Sequence, residues 1–381
     1  MTRPPYVVPL LAALAGAALL SSTTGAQAPT GPITPQSGTP IQQAPQQPKI
    51  VTRVELVNTP VVVKDAKGHM VSSLDVKDFG VTDNGVPQTI THFDLGGDPL
   101  SVVFLVETST RISPLMPQIN KAGIVLAETV LGSNGEGAVV GFNDSVDKLQ
   151  DFTTNSDEVE KIFTRLKTVS RGSKLYDAMA IGVEMLSGRP LPTADAPGRR
   201  RVLVILSEAT DVGSETRLGA VLRQAQLSNV TIYSVGLSTT MAELKEPPKN
   251  VTPEITPPGT FPQPPMPGTI QTPETEATRY GSGNLMALAV WAVQHVKDKI
   301  TGHALELAAT ATGGEHLPTF KNRSIEKAID EIGAELHAQY SLSYVPSGTN
   351  QIGYHEINVT VKKGGLKVRA RPGYYLAGPE S

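Results

Sequence analysis

The chain has 381 residues, a formal net charge of −3 and no cysteine. That length admits two or three domains, and the missing cysteine excludes disulfides, thiolate metal sites, a cysteine nucleophile and a lipid-anchored N-terminal cysteine. The densest basic runs, Arg199-Arg200-Arg201 and Arg369-Ala370-Arg371, are short and abut apolar strand-like segments, so no nucleic-acid surface is expected.

Arg3 precedes an apolar run at 7–20, and small polar residues follow at 21–28. This is the order of a secretory signal peptide, and the run is too short to span a bilayer comfortably. Residues 1–26 are therefore expected to be removed after Thr24-Gly25-Ala26, leaving Gln27 first in an exported, periplasmic or extracellular chain. An uncleaved anchor is the alternative. No later segment is apolar enough to span a membrane, so the mature chain is expected to have no transmembrane span. Residues 27–49 are Pro, Gln, Thr and Gly with few large apolar side chains, the composition of a flexible tether.

Residues 50–97 read as β structure. Val54, Leu56 and Val61-Val62-Val63 are strand-like, and Asp83-Asn84-Gly85 separates two short strands at 79–82 and 89–93. From residue 98 strands and helices alternate. Val102-Val103-Phe104-Leu105-Val106 is apolar throughout, as a strand covered on both faces requires. Ile119, Ala122, Leu126 and Val130 give a helix face, then 137–142 and 148–152 are strands. Ile162, Leu166 and Val169 suit a second helix, and Leu175, Met179, Val183 and Leu186 a third. Residues 202–206 and 230–237 are further core strands, with a helix on Leu218, Val221, Leu222 and Ala225 between them. A proline-rich insertion follows at 246–278. Residues 285–307 form an Ala-rich helix, and Ile325, Ala328, Ile329, Ile332 and Leu336 give one more. Strands return at 340–345, 356–362 and 366–371.

The expected fold is α/β: a doubly wound, mostly parallel sheet with helices on both faces, flanked by a small β-rich module. The α/β domain is placed at residues 98–338. The flanks at 50–97 and 339–381 are expected to pair as two halves of one module.

Three segments carry a resemblance. Glu107-Thr108-Ser109-Thr110-Arg111 closes the first core strand, Arg171-Gly172-Ser173-Lys174-Leu175-Tyr176-Asp177-Ala178 precedes a helix, and Leu206-Ser207-Glu208-Ala209-Thr210-Asp211 follows the next core strand. In order and spacing they resemble the Asp-x-Ser-x-Ser, Gly-Gly-Thr-x-Leu-Tyr-Asp-Ala and Leu-Thr-Asp-Gly type segments of von Willebrand factor type A domains. The flanks, through Leu74, Asp78-Phe79, Asp83-Asn84-Gly85 and Arg371-Pro372-Gly373-Tyr374-Tyr375, are similar to acidobacterial-type secreted proteins carrying that domain.

The resemblance implies a metal-ion-dependent adhesion site in which hydroxyl ligands and water-linked aspartates hold Mg²⁺, and a partner carboxylate completes the shell. The matching positions here are Glu107, Ser109, Ser173 and Glu208, with Arg111 where a second serine stands in those domains. Both acids are one methylene longer, and Arg111 brings a fixed positive charge to the cation's place. Three readings follow. Mg²⁺ binds despite these changes; Arg111 bridges Glu107 and Glu208 instead; or Arg111 points to solvent. The site is read as a degenerate one, with no cofactor expected beyond a possible Mg²⁺.

No His-Glu-x-x-His, Gly-x-Ser-x-Gly, P-loop or dinucleotide fingerprint is present. His295 and His303 are ordinary helix histidines, and Asp177 is expected to serve the start of its helix. The chain is therefore read as a non-catalytic binding or adhesion protein with a protein partner. A structural envelope scaffold is the alternative, and an enzyme with an unrecognised crevice site the more distant one.

Overall fold

The continuous apolar runs become the inner strands of one six-stranded sheet. The computed structural model describes residues 56–191, 198–238, 303–319, 324–347 and 352–376, all within the unit Arg53–Ser381. The leader, the tether, the insertion 246–278 and residues 285–302 of the Ala-rich helix lie outside the described residues.

The sheet contains β5 (Leu100–Glu107), β6 (Glu136–Phe142), β7 (Val146–Thr153), β8 (Arg200–Ser207), β9 (Val230–Gly236) and β10 (His316–Pro318). Their order is β10-β9-β8-β5-β6-β7. All neighbours are parallel except β7, which runs antiparallel to β6. Because side chains alternate across a strand, Val102, Phe104 and Val106 of β5 face one layer while Val103 and Leu105 face the other. The first layer holds α1 (Met116–Val125), α2 (Ser156–Arg165) and α6 (Ile325–Ala338). The second holds α3 (Leu175–Ser187), α4 (Leu218–Leu227) and α5 (Ala304–Thr312). This is the α/β architecture expected from the sequence. No helix among the described residues is long and apolar enough to cross a membrane.

The flanking segments form two four-stranded antiparallel sheets around a shared core. One is β13-β1-β11-β4, built from β1 (Val57–Lys64), β4 (Ile90–Leu95), β11 (Tyr340–Tyr344) and β13 (Lys367–Ala370). The other is β14-β12-β2-β3, built from β2 (Phe79–Asp83), β3 (Val86–Gln88), β12 (Gly353–Val361) and β14 (Gly373–Leu376). In the first sheet strands from the two chain ends alternate, with β1 between β11 and β13; in the second they meet once, where β12 pairs β2. Val61, Val63, Phe79, Val81, Tyr340, Leu342 and Ile357 share the core. Within it Asp83 accepts from Tyr344 (3.0 Å) and Tyr374 (2.8 Å) and lies 2.9 Å from His355 Nδ1, so both its oxygens have partners.

Local readings differ at several places. The hairpin after β2 closes with β3, while the strand expected at 89–93 pairs as β4 with β11 in the other sheet. Helix α5 runs on to Thr312, past the expected end at 307, and β10 follows it unforeseen. Strand β14 was not expected; Gly373–Leu376 pairs with the start of β12, and its Tyr375 packs on α4 through a cation–π contact with Arg223 at 4.0 Å. The helix after β5 opens with a 3-10 segment, Thr110–Leu115, containing Pro114, and closes with a π segment, Leu126–Val130. Val169 is not helical. Helix α2 ends at Arg165, the Val169 amide donates to the Thr108 carbonyl (2.9 Å), and the side chain is 72% exposed. A tertiary hydrogen bond outweighs the helical spacing there.

Candidate functional site

Strand β5 lies centrally, between β8 and β6, so its last residue sits among loops from both neighbours. Open α/β sheets place their ligand crevice at such carboxyl ends. Glu107 is fully buried there. Its Oε1 accepts from Ser109 Oγ (2.5 Å) and Arg111 Nη2 (3.3 Å), and its Oε2 from Ser207 Oγ (2.8 Å) and the Glu208 amide (2.9 Å). Those four donors match the acceptor capacity of a carboxylate.

Arg111 also approaches Glu208, with Nε 3.7 Å from Oε2. Its side chain is 28% exposed and that of Glu208 19%, so the guanidinium closes the crevice without being sealed in. Arg111 Nε makes no hydrogen bond, and neither does the buried Ser173 Oγ. Ser173 is placed by its backbone: its carbonyl accepts from the Val212 amide (2.7 Å), and the following amide of Lys174 donates to the Asn143 carbonyl (2.8 Å). Glu107, Ser109, Arg111 and Glu208 thus join one network, and Ser173 is tied to the Glu208 loop by its main chain.

Asp177 lies in the first turn of α3, and its carboxylate reaches out to the amides of Glu215 (3.1 Å) and Thr216 (2.9 Å). Burial pushes its carboxyl up, but the donors from Thr216 and Glu215 together hold it below the usual range. The helix start is capped from the opposite side. Ser214 Oγ accepts the amides of Tyr176 and Asp177 (3.1 Å each) and donates to Asp211 (2.6 Å).

Two residues escaped sequence reasoning. Ser207 supplies a direct donor to Glu107, and its signal was its place opposite the threonine of the Leu-Thr-Asp-Gly type segment. Asn143 ties three loops, donating to Thr108 Oγ1 (2.9 Å), accepting from Ser170 Oγ (3.0 Å) and accepting at its carbonyl from Lys174. A lone asparagine after a strand carries no such signal. At Gly172 a Cβ would stand 1.5 Å from Asp144 Oδ1, so a side chain there would have to turn Asp144 aside.

Ala209 takes a left-handed φ of 66° where the resembled segment has glycine. A side chain in that region costs about 1 kcal/mol. Ala209→Gly should therefore raise the unfolding free energy by up to about 1 kcal/mol, read from urea denaturation. A loss of stability would show that the loop is not strained at this residue.

The fold and the crevice define a class: a doubly wound α/β domain carried on a β sandwich, with a carboxylate–guanidinium cluster at the strand ends. No family model matches the sequence, and no curated protein matches it. Among solved structures the chain is similar to a von Willebrand factor type A protein from Catenulispora acidiphila, at 9% identity over 86% of this chain and 75% of that one, TM-score 0.41. It is similar also to the conserved hypothetical protein BatB from Bacteroides thetaiotaomicron (11% identity, 62% and 98% covered, TM-score 0.39). A third is an aerotolerance-related membrane protein from Bacteroides fragilis NCTC 9343 carrying multiple mutations to serines (9%, 62% and 98%, TM-score 0.38). Superpositions this loose leave the reading of the site to its residues.

Proposed function

We propose that this chain is an exported, non-catalytic binding protein built on a von Willebrand factor type A domain, in which the Arg111 guanidinium stands where the resembled domains hold a divalent cation. The observation that carries this reading is the closed set of donors on Glu107. Mg²⁺ needs oxygen ligands at about 2.0–2.1 Å in octahedral order. To hold it, directly or through a bridging water, Glu107 would have to release donors it already accepts from Ser109, Arg111, Ser207 and Glu208. A dication near Arg111 would also meet repulsion on the order of 8 kcal/mol at 4 Å and an effective dielectric of about 20. This donor set does not fit a resident Mg²⁺.

What the crevice keeps for a partner is the exposed part of Arg111. A protein carboxylate or carbonyl suits that guanidinium. Absence of catalysis is supported by the same geometry. Ser109, the hydroxyl beside an acid, is fully buried and donates into Glu107, so no substrate reaches it as a nucleophile. Export rests on the order of Arg3 and the apolar run 7–20.

The melting temperature of the wild-type protein is expected to be the same in millimolar Mg²⁺ and in chelator. A bound ion would stabilise with the logarithm of its concentration over its dissociation constant. A gain of several degrees with Mg²⁺ would sink the replacement.

A further inference from the structure

Beside the crevice lies an open groove of about 290 Å³ that the proposed cation replacement does not use. Its floor exists because β6 carries Gly141: a Cβ there would stand 3.0 Å from Leu149 Cδ1 and 3.5 Å from Thr108 Cγ2. Leu149, Ile162 and Val169 make the walls apolar, and two of them are open to solvent, Leu149 at 38% and Val169 at 72%. Exposed branched side chains around a concavity are unusual for a surface with nothing to bind.

The rim is cationic. The segment from Arg165 to Arg171 reads Arg-Leu-Lys-Thr-Val-Ser-Arg with no acid. Arg165, Lys167 and Arg171 are all exposed, and none takes part in an ion pair among the described residues. Arg165 ends α2, where positive charge suits the helix carbonyls. Lys167 and Arg171 lie beyond the helix and have no such role. The lining carries one acid, Asp147, which accepts from Ser145 Oγ at 2.6 Å, against the two cations Arg165 and Lys167. The segment is continuous with the crevice, since Ser170 bridges to Ser109 and its carbonyl accepts from the Thr110 amide at 2.6 Å. The chain is thus held in place at one end of the groove.

We propose that this groove docks an acidic, aliphatic segment of a partner protein. A branched side chain lies over Leu149, Ile162 and Val169, and flanking carboxylates meet Arg165 and Lys167. This deepens the binding role proposed above, resting on the same face of the domain being the one that meets a partner. Charge complementarity selects the sign of that partner, and the groove's size selects a side chain and not a whole helix.

The test is a phage-displayed library of random heptapeptides panned on the mature full chain at low salt, with the Arg165→Glu/Lys167→Glu double variant as counter-selection. Both side chains are exposed, and the variant's melting temperature shows whether it stays folded. The expected result is enrichment of peptides that combine Asp or Glu with Leu, Ile or Val. Their binding, measured by fluorescence anisotropy, should weaken at least tenfold in the double variant and fall with ionic strength. Val169→Asp should weaken it likewise. No enrichment over the variant, enrichment of basic or uncharged sequences, or peptides that bind the variant equally well would each overturn the proposal. The Mg²⁺ melting experiment is read independently of this one, so failure of the groove and failure of the cation replacement are separable.

Discussion

Replacing Arg111 by serine should destabilise the protein by about 2–3 kcal/mol, and Mg²⁺ should return part of that loss. The guanidinium is the positive charge on a fully buried carboxylate, Glu107, and it also faces Glu208. Its removal takes the positive charge away from buried Glu107 and one cationic neighbour from Glu208. Glu107 keeps its donors from Ser109, Ser207 and the Glu208 amide, and Arg111 is itself partly exposed. The loss therefore falls below that of a completely buried pair. Serine restores a hydroxyl at the position where the resembled domains carry one, so added Mg²⁺ should find oxygen ligands and stabilise the variant. Arg111→Ala should lose as much and be rescued poorly, because it opens the same space without that hydroxyl. Thermal melts of both variants, each with Mg²⁺ and with chelator, separate the cases. Equal rescue of serine and alanine would mean that the ion merely screens the acids.

An effect at least as large is expected where the β sandwich meets the α/β domain. Arg369 on β13 pairs with Glu335 on α6 and lies 3.3 Å from Glu315, and Lys64 on β1 reaches the same two acids at 3.2 and 2.9 Å. Tyr233 on β9 donates to Glu335 at 2.7 Å. Arg369→Ala leaves one lysine to serve two acids, and the side chain of Glu335 is only 5% exposed. The cost should be about 3 kcal/mol near pH 8. It should shrink toward pH 5. Burial, with Glu315 adding to it, pushes the Glu335 carboxyl up against the pull of Arg369 and Lys64. An acid with a raised folded pKa contributes its full stability below the unfolded value, and loses it as pH rises through the folded one. Without Arg369 the carboxyl moves further up, so the variant's deficit opens as pH climbs from about 5. Urea denaturation of wild type and variant at pH 5 and pH 8 measures this. An equal deficit at both would show that Glu335 is not the group responsible.

The alternation of strands and helices was legible because the pattern of burial is written locally. Residues 102–106 and 202–206 are apolar throughout since both faces of β5 and β8 are covered by helices. The association of Glu107, Arg111 and Glu208 was implied by the resemblance of their two segments to those of type A domains. The exact donors on Glu107 were not. Ser207 and Asn143 are ordinary polar residues until the parallel register sets the ends of β5, β6 and β8 side by side.

Longer connections were decided by tertiary structure alone. The expectation that the two β flanks meet could be formed from composition, but which strand pairs which could not. The pairing of Val57 with Tyr344, or of Val61 with Ala370, is a choice of register between segments about 300 residues apart along the chain. The cluster of Lys64, Tyr233, Glu315, Glu335 and Arg369 draws on separate parts of both domains. In the sequence each of these is one more charged or polar residue within or beside an element. A local pattern reports that a side chain is buried or exposed; only the packed chain determines which partner offsets the cost of burying its charge.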